Sequence, residues 1–176
     1  MLFLYANMKT ILQTPRVLVR QFAEDEIDLL LTMNADERIA RYITRRTVDE
    51  TRDLFAQMLI DYKNTPELGR WALFNLEDND FIGMCMLLDA RPGLSGIEIG
   101  YSLNYKYWGM GLATEVVRAT ADYGLNTLNL KDICAITNID NALSQRVLLK
   151  TGFKPSGTAV INYRLLPLFV KTKGDQ

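Results

Sequence analysis

Histidine is absent from this 176-residue chain. Its absence removes the commonest general base near neutral pH and, with it, the Ser-His and Cys-His nucleophilic partnerships. It also removes the commonest metal ligand, and no tight cluster of Asp, Glu and Cys stands in for it, so no metal is expected. Cysteine is scarce: Cys85 and Cys134 each sit in an apolar run. Both read as buried, reduced thiols, which suits a cytoplasmic protein. Charge of one sign is lacking as well. A net charge of −1 gives no electrostatic case for nucleic acid as a partner. No apolar run is long enough to cross a bilayer, so no membrane partner is expected. The opening "MLFLYANMKT" has too short an apolar patch, and no basic lead-in, for a signal peptide.

What is present suffices for one domain. Hydrophobic residues make up 48% of the chain, and a chain of this size buries roughly 70% of its unfolded surface. Residues 1–13 read as an N-terminal extension, loosely attached, with Met8 an alternative start; residues 14–176 read as the domain. "PRVLVRQF" alternates as a strand, and two acidic stretches, 24–33 and 36–43, favour helix. Thr47 followed by Glu50 is a capping box that opens a third helix. "RWALFNL" and "FIGMCMLLDA" read as a hairpin around "EDND". "IEIGYSL" and "DICAIT" are further strands that bracket a helix from Leu112. A last helix stops at Gly152, and 153–170 is mostly extended, broken by Gly157 and Pro167. The order is mixed α/β with one central βαβ unit.

That central unit carries the clearest chemical signal. In "YKYWGMGLATEVV", Gly109 and Gly111 directly precede a helix. Such an N-terminus presents unpaired N–H groups and about half a positive charge, and glycines let an anion approach the backbone. Met110 between them adds no charge, so amides must hold most of any phosphate. Three or four charge-assisted hydrogen bonds of about 1.5–3 kcal/mol each would supply much of a micromolar affinity. An ordinary loop with a helix cap would read the same way from a bare G-x-G. A nucleotide-triphosphate loop needs Lys and Ser/Thr where Leu112 and Ala113 stand. A dinucleotide fingerprint needs a small third residue where Thr114 stands, and an acid at the end of the next strand, whereas Asp132 begins it.

"IEIGYSLNYKYWGMGLATEVV" resembles the acetyl-CoA-binding segment of the GNAT acetyltransferase superfamily, with Q/R-x-x-G-x-G/A read as Trp108–Ala113. Trp in the first place, followed by "ATE", is similar to the branch of ribosomal-protein N-terminal (alanine/serine) acetyltransferases. "TPRVLVRQFAEDEIDLLL" and "NALSQRVLLKTGFKPSG" resemble the opening and the N-x-x-S…K-x-G-F segments of that branch. The likeness covers roughly residues 14–157 in order. It implies a single GNAT-like α/β (α+β) domain: a mixed, mostly antiparallel sheet with a central, splayed parallel strand pair and flanking helices. It implies acetyl-CoA as donor, its pyrophosphate wrapped by amides of Trp108, Gly109, Met110, Gly111, Leu112, Ala113 and Thr114. Asn141 would bond the pantetheine or a carbonyl near it. A backbone N–H near Ser102 or Leu103 would stabilise the thioester oxygen. Relatives often dimerise, so a homodimer is a possible assembly.

Transfer of acetyl to an amine needs a neutral amine, a stabilised oxygen and a protonated leaving thiol. Glu98, on one strand face with Gly100 and Ser102, is the candidate base, directly or through a water. An ordinary solvent-facing carboxylate is the plainer alternative. Ser144, one turn after Asn141, is the candidate to protonate the thiolate or position a water, or else a serine bonding a carbonyl one turn back. The resemblance places a tyrosine acid where Leu148 stands, so Tyr101 or Tyr163 could substitute only if the fold brings one of them close. Arg41, Arg45 and Arg46 lie near the helices that shape the acceptor site, with a solvated face the plainer reading. The expected function is N-acetyl transfer in a ternary complex to a protein N-terminus or a small-molecule amine. The alternative is an acyl-CoA-binding protein without efficient chemistry.

Overall fold

A computed structural model describes residues 8–174. Among these residues eight strands form one sheet: β1 (Thr10–Gln13), β2 (Val17–Arg20), β3 (Gly69–Asn75), β4 (Phe81–Asp89), β5 (Ile97–Leu103), β6 (Asp132–Ile136), β7 (Lys154–Ile161) and β8 (Arg164–Thr172). Their order is β1-β2-β3-β4-β5-β6-β8-β7. Every neighbouring pair is antiparallel except β5 and β6, which run parallel and meet at a single pair, Glu98 opposite Cys134. Among the described residues the α-helices are α1 (Ile27–Ala35), α2 (Glu37–Ala40), α3 (Val48–Asn64), α4 (Leu112–Asp122) and α5 (Ala142–Lys150).

Local signals explain the helix ends. Thr47 accepts from the Glu50 N–H while the Glu50 carboxylate accepts from the Thr47 N–H, the reciprocal cap expected for α3. Gly152, at φ +85°, ends α5: its N–H bonds Leu149 C=O, and Phe153 N–H bonds Leu148 C=O. Phe153 and Leu148 are both buried, the apolar contact that accompanies this left-handed stop. The second acidic stretch forms only the four residues of α2, because the Asp36 side chain caps Arg38 N–H and restarts the chain after α1.

Two expectations change. Thr10–Gln13, set apart as an extension, forms β1 and pairs with β2, because its two central apolar side chains pack on the core; residues 1–7 lie outside the described residues. The extended C-terminal stretch is a hairpin rather than a broken strand. Asn162 and Tyr163, at φ +48° and +60°, make its two-residue turn. Gly157 lies within a register shift of β7, and Pro167 sits in β8 opposite Thr158.

Register sorts the side chains into two layers. Trp71, Cys85 and Tyr101 share one face, which α4 covers through Thr120 on Cys85 and, just past its end, through Tyr123 against Trp71. Arg70, Met86 and Gly100 share the other face, one step along from Leu88 and Glu98. There α1 and α3 pack, with Phe55 joining Phe22, Phe81 and Phe74 in a chain of ring contacts.

Candidate active site

Because β6 pairs with β5 only at Glu98, the two strands part beyond it. Among the described residues, alternate backbone groups of Ile99–Leu103 on that edge have no strand opposite. The gap widens into a cleft of about 1250 Å³ that reaches from the α1–α2 segment to the glycine loop and α5. That exceeds the ~300–1,000 Å³ of an ordinary small-molecule site, so there is room for two substrates.

The glycine loop is built as its spacing suggests. Gly109 and Gly111 both sit at φ +79°. Nothing lies within 4 Å of where a Gly109 Cβ would be, so the requirement there is backbone conformation and open approach, not packing. The first helical bond of α4 runs from Glu115 N–H to Gly111 C=O. The amides of Leu112, Ala113 and Thr114 precede it and have no intrahelical acceptor. Trp108, Gly109, Gly111, Ala113 and Thr114 line the cleft. Leu112 turns its side chain into the core, and the Met110 side chain is exposed, so these two would act only through their backbone. Trp108 is fixed by its indole N–H, which donates to Leu103 C=O at 2.8 Å, and by ring contacts with Tyr42 and Tyr105.

A cation that sequence reading missed braces this loop. Arg16, between β1 and β2, donates to Met110 C=O at 3.0 Å and to Glu115 at 2.7 Å. Glu115 also accepts from Thr14 and from the Arg16 N–H. Burial pushes the Glu115 carboxyl up, but the Thr14 and Arg16 hydrogen bonds outweigh it and hold the pKa below the usual range. Replacing Gly111 by Ala puts a Cβ on a left-handed residue at a cost of roughly 1–2 kcal/mol. The expected result is a melting temperature lower by several degrees in a thermal scan.

Asn141 caps α5: its Oδ1 accepts from Ser144 N–H at 3.0 Å. Ser144 does not turn back on its own helix but meets the Tyr101 hydroxyl at 3.1 Å. Tyr101 comes from the α4-covered face of β5, and both residues line the cleft. Burial pushes the Tyr101 phenol up to about 12, with the Ser144 contact pulling slightly the other way. Leu148 is buried behind them, and Tyr163 stands fully exposed at the hairpin turn. Of the two tyrosines weighed from sequence, the fold brings Tyr101 to α5.

The reading of Glu98 is revised in its surroundings. Its face-mates are Gly100 and Ser102 as expected, yet it is only 2% exposed rather than solvent-facing. Arg91 grips both carboxylate oxygens, Nε to Oε2 at 2.8 Å and Nη2 to Oε1 at 2.7 Å. Nor is the space above Gly100 open, since Met86 Cε lies 2.7 Å from where its Cβ would be. Cys134 is buried, and burial pushes its thiol up to about 11, which leaves little thiolate near neutral pH. Arg41, Arg45 and Arg46 line the rim of the cleft and are exposed, in keeping with both readings made from sequence.

The sequence matches the acetyltransferase (GNAT) domain family over residues 16–154. The chain belongs to that family. An uncharacterized N-acetyltransferase, p20, of Bacillus licheniformis is 32% identical over 168 residues, 93% of this chain and 89% of the relative. In fold, this GNAT chain superposes on an acetyltransferase from Agrobacterium tumefaciens with a TM-score of 0.81 at 21% identity, covering 96% of each. A putative ribosomal-protein-serine acetyltransferase from Vibrio cholerae gives 0.78 at 16% identity, over 93% of this chain and 97% of the other. The chain is thus an N-acetyltransferase of the GNAT family. Among the described residues no helix is long and apolar enough to cross a membrane, and no group of acidic and sulfur ligands could hold a metal.

Proposed function

We propose that this N-acetyltransferase takes acetyl-CoA as donor and transfers the acetyl group directly to an α-amine bound in the same cleft. The observation that carries the reading is the cleft itself, with unpaired amides at its α4 end and free β5 backbone along its wall. Amides of the Gly109–Thr114 loop, fixed by Arg16, would hold the pyrophosphate, and the Asn141 cap sets α5 beside the arm of the donor. The bound donor supplies an activated acetyl thioester. A β5 N–H near Ser102 or Leu103, freed by the splay, would steady the carbonyl oxygen as negative charge grows on it. The Tyr101 hydroxyl, which donates to Ser144 in the free protein, would turn its proton to the departing sulfur while Ser144 donates to it instead.

The amine needs a base less than the sequence suggests. Glu98, with both oxygens held by Arg91, is poorly placed to take a proton unless Arg91 swings aside and a water intervenes. An α-amine with a pKa of about 8 is already roughly one-tenth neutral at pH 7, whereas a lysine near 10.4 is neutral only in well under 0.1% of molecules. The site therefore favours an α-amine, and Glu98 serves to hold Arg91 at the rim. The fold likeness to a ribosomal-protein-serine acetyltransferase is in keeping with a protein N-terminus as one form of that amine.

Thermal unfolding against acetyl-CoA, desulfo-CoA, NAD and ATP tests the donor. At about 100 times its dissociation constant a ligand adds about 2.7 kcal/mol, so both CoA compounds should raise the melting temperature clearly. Thiol release from acetyl-CoA with amine acceptors separates an enzyme from a protein that only binds acyl-CoA. Stabilisation by NAD or ATP alone, or by none of the four, overturns the proposal.

A further inference from the structure

At the end of the cleft away from the glycine loop, the wall is cationic. Arg41, Arg45, Arg46, Arg70 and Arg91 all line it, against Asp89 and Glu98. Two of these arginines are already spoken for: Arg91 holds Glu98, and Arg45 pairs with Glu37. Arg41 lies over the Tyr42 ring, and Arg46 reaches only the Thr44 carbonyl.

Arg70 is the unusual member. It lies in β3, and its register partners Met86 and Gly100 put it on the floor of the cleft, on the same face as Glu98. The nearest acids that act on it are Asp61 and Glu98. Glu98 is fully engaged by Arg91, and Asp61 accepts from Gln57. Among the described residues no carboxylate lies within ion-pairing distance of the Arg70 guanidinium. Burial first, then repulsion from Arg46, lowers its pKa, so the charge is held where it is disfavoured. A half-buried guanidinium facing two others is stabilised by an anion placed among them, and its planar fork suits a carboxylate or phosphate oxygen pair.

We propose that Arg70, with Arg46 beside it, is the receptor for an anionic group on the acceptor, so that the substrate is an amine that carries a carboxylate. An acidic N-terminal peptide and a free acidic amino acid share this chemistry. A polyamine lacks it, and would bring positive charge against five arginines. The inference rests on the acetyltransferase reading only for what is transferred, and its binding arm stands without it.

The test titrates the protein, with and without CoA, with four probes, both peptides C-terminally amidated: Ala-Glu-Glu-Phe, Ala-Lys-Lys-Phe, glutamate and spermidine. Calorimetry reads binding, and thiol release from acetyl-CoA reads turnover. A carboxylate-bearing probe should bind at least about tenfold tighter than either cationic one, the equivalent of one charge-assisted contact. Glutamate matching the acidic peptide would point to a small-molecule acceptor, and the peptide alone to a protein N-terminus. Arg70→Met should erase that preference and raise the KM for the acidic acceptor about tenfold with the KM for acetyl-CoA unchanged; Arg70→Lys should restore part of it. Arg46→Met, on an exposed segment, repeats the experiment without risk to the sheet. Equal or tighter binding of the cationic probes, binding of none of the four, or an unchanged preference in both Met variants overturns the proposal. Failure of acetyl-CoA to bind, with the anion preference intact, would instead remove the transferase reading and leave the receptor standing.

Discussion

Replacing Tyr101 by Phe is expected to lower kcat roughly 10- to 100-fold while the KM for acetyl-CoA stays near its original value, because one hydrogen bond to a developing charge is worth about 1.5–3 kcal/mol. The role at stake is stabilisation of the leaving sulfur. Burial pushes the Tyr101 phenol up to about 12, whereas an ordinary thiol titrates near 8.5. Full proton transfer to the thiolate would then run uphill, so donation of a hydrogen bond is the cheaper service. The pH profile distinguishes this from a titrating acid. A raised phenol pKa means that the neutral, donating form persists as pH rises. The rate should therefore climb as the acceptor amine loses its proton and then level off, with no alkaline fall below about pH 11. Steady-state kinetics of Tyr101→Phe and Ser144→Ala across pH check both points. An unchanged kcat in Tyr101→Phe would remove the hydroxyl from the chemistry.

The largest loss of stability is expected at Glu26. Arg20 is 2% exposed, with its guanidinium 3.9 Å from the Phe74 ring centroid, and Glu26 meets both of its terminal nitrogens at 2.9 and 2.6 Å. The same carboxylate accepts from Ala23 N–H, fixing the turn between β2 and α1. Glu26→Ala removes the carboxylate that grips both terminal nitrogens of this buried cation, a change that costs about 3–5 kcal/mol. For a chain of this length that corresponds to a melting temperature lower by about 10 °C. The exposed pair Arg45–Glu37 provides the contrast. Its side chains are 65% and 75% exposed, and Glu37→Ala should change stability by at most about 1 kcal/mol. Calorimetric scans of the two variants side by side give the comparison. Adding Arg20→Met to Glu26→Leu should recover much of the loss, since a well-packed apolar pair can replace a buried ion pair at little cost.

Features that depend on a few consecutive residues were legible before any coordinates. The capping box at Thr47 and Glu50, the stop at Gly152 and the left-handed glycines before α4 are set by backbone requirements that only certain residues meet. The hairpin of β3 and β4 announced itself through alternation and a polar turn. The turn at Asn162 and Tyr163 did not, because neither residue is glycine, and Gly157 drew attention to what is an irregularity inside a strand. The site's side-chain partnerships were the least readable. Tyr101 and Ser144 are 43 residues apart in the chain, and Arg16 and Glu115 are 99 apart. Nothing in the local pattern at either end encodes the other. Glu98 showed its parity correctly but not its burial, since the residue that neutralises it, Arg91, lies in the loop ahead of β5. Arg70 looks in sequence like any polar residue in a strand, and only its lack of a carboxylate partner sets it apart.

The single backbone bridge between Glu98 and Cys134 bears on how the molecule comes into being. Strands β1–β5 are joined to one another by antiparallel pairing and can assemble from contacts already present as the chain emerges from the ribosome. Strands β6, β8 and β7 form a second antiparallel group, and all of it lies in the last quarter of the sequence. One wall of the cleft is thus made early and the other last, and the two are stitched at one point. Synthesis must be nearly complete before the donor has a place to bind, and a chain that stops short of β6 would keep its glycine loop but have no cleft.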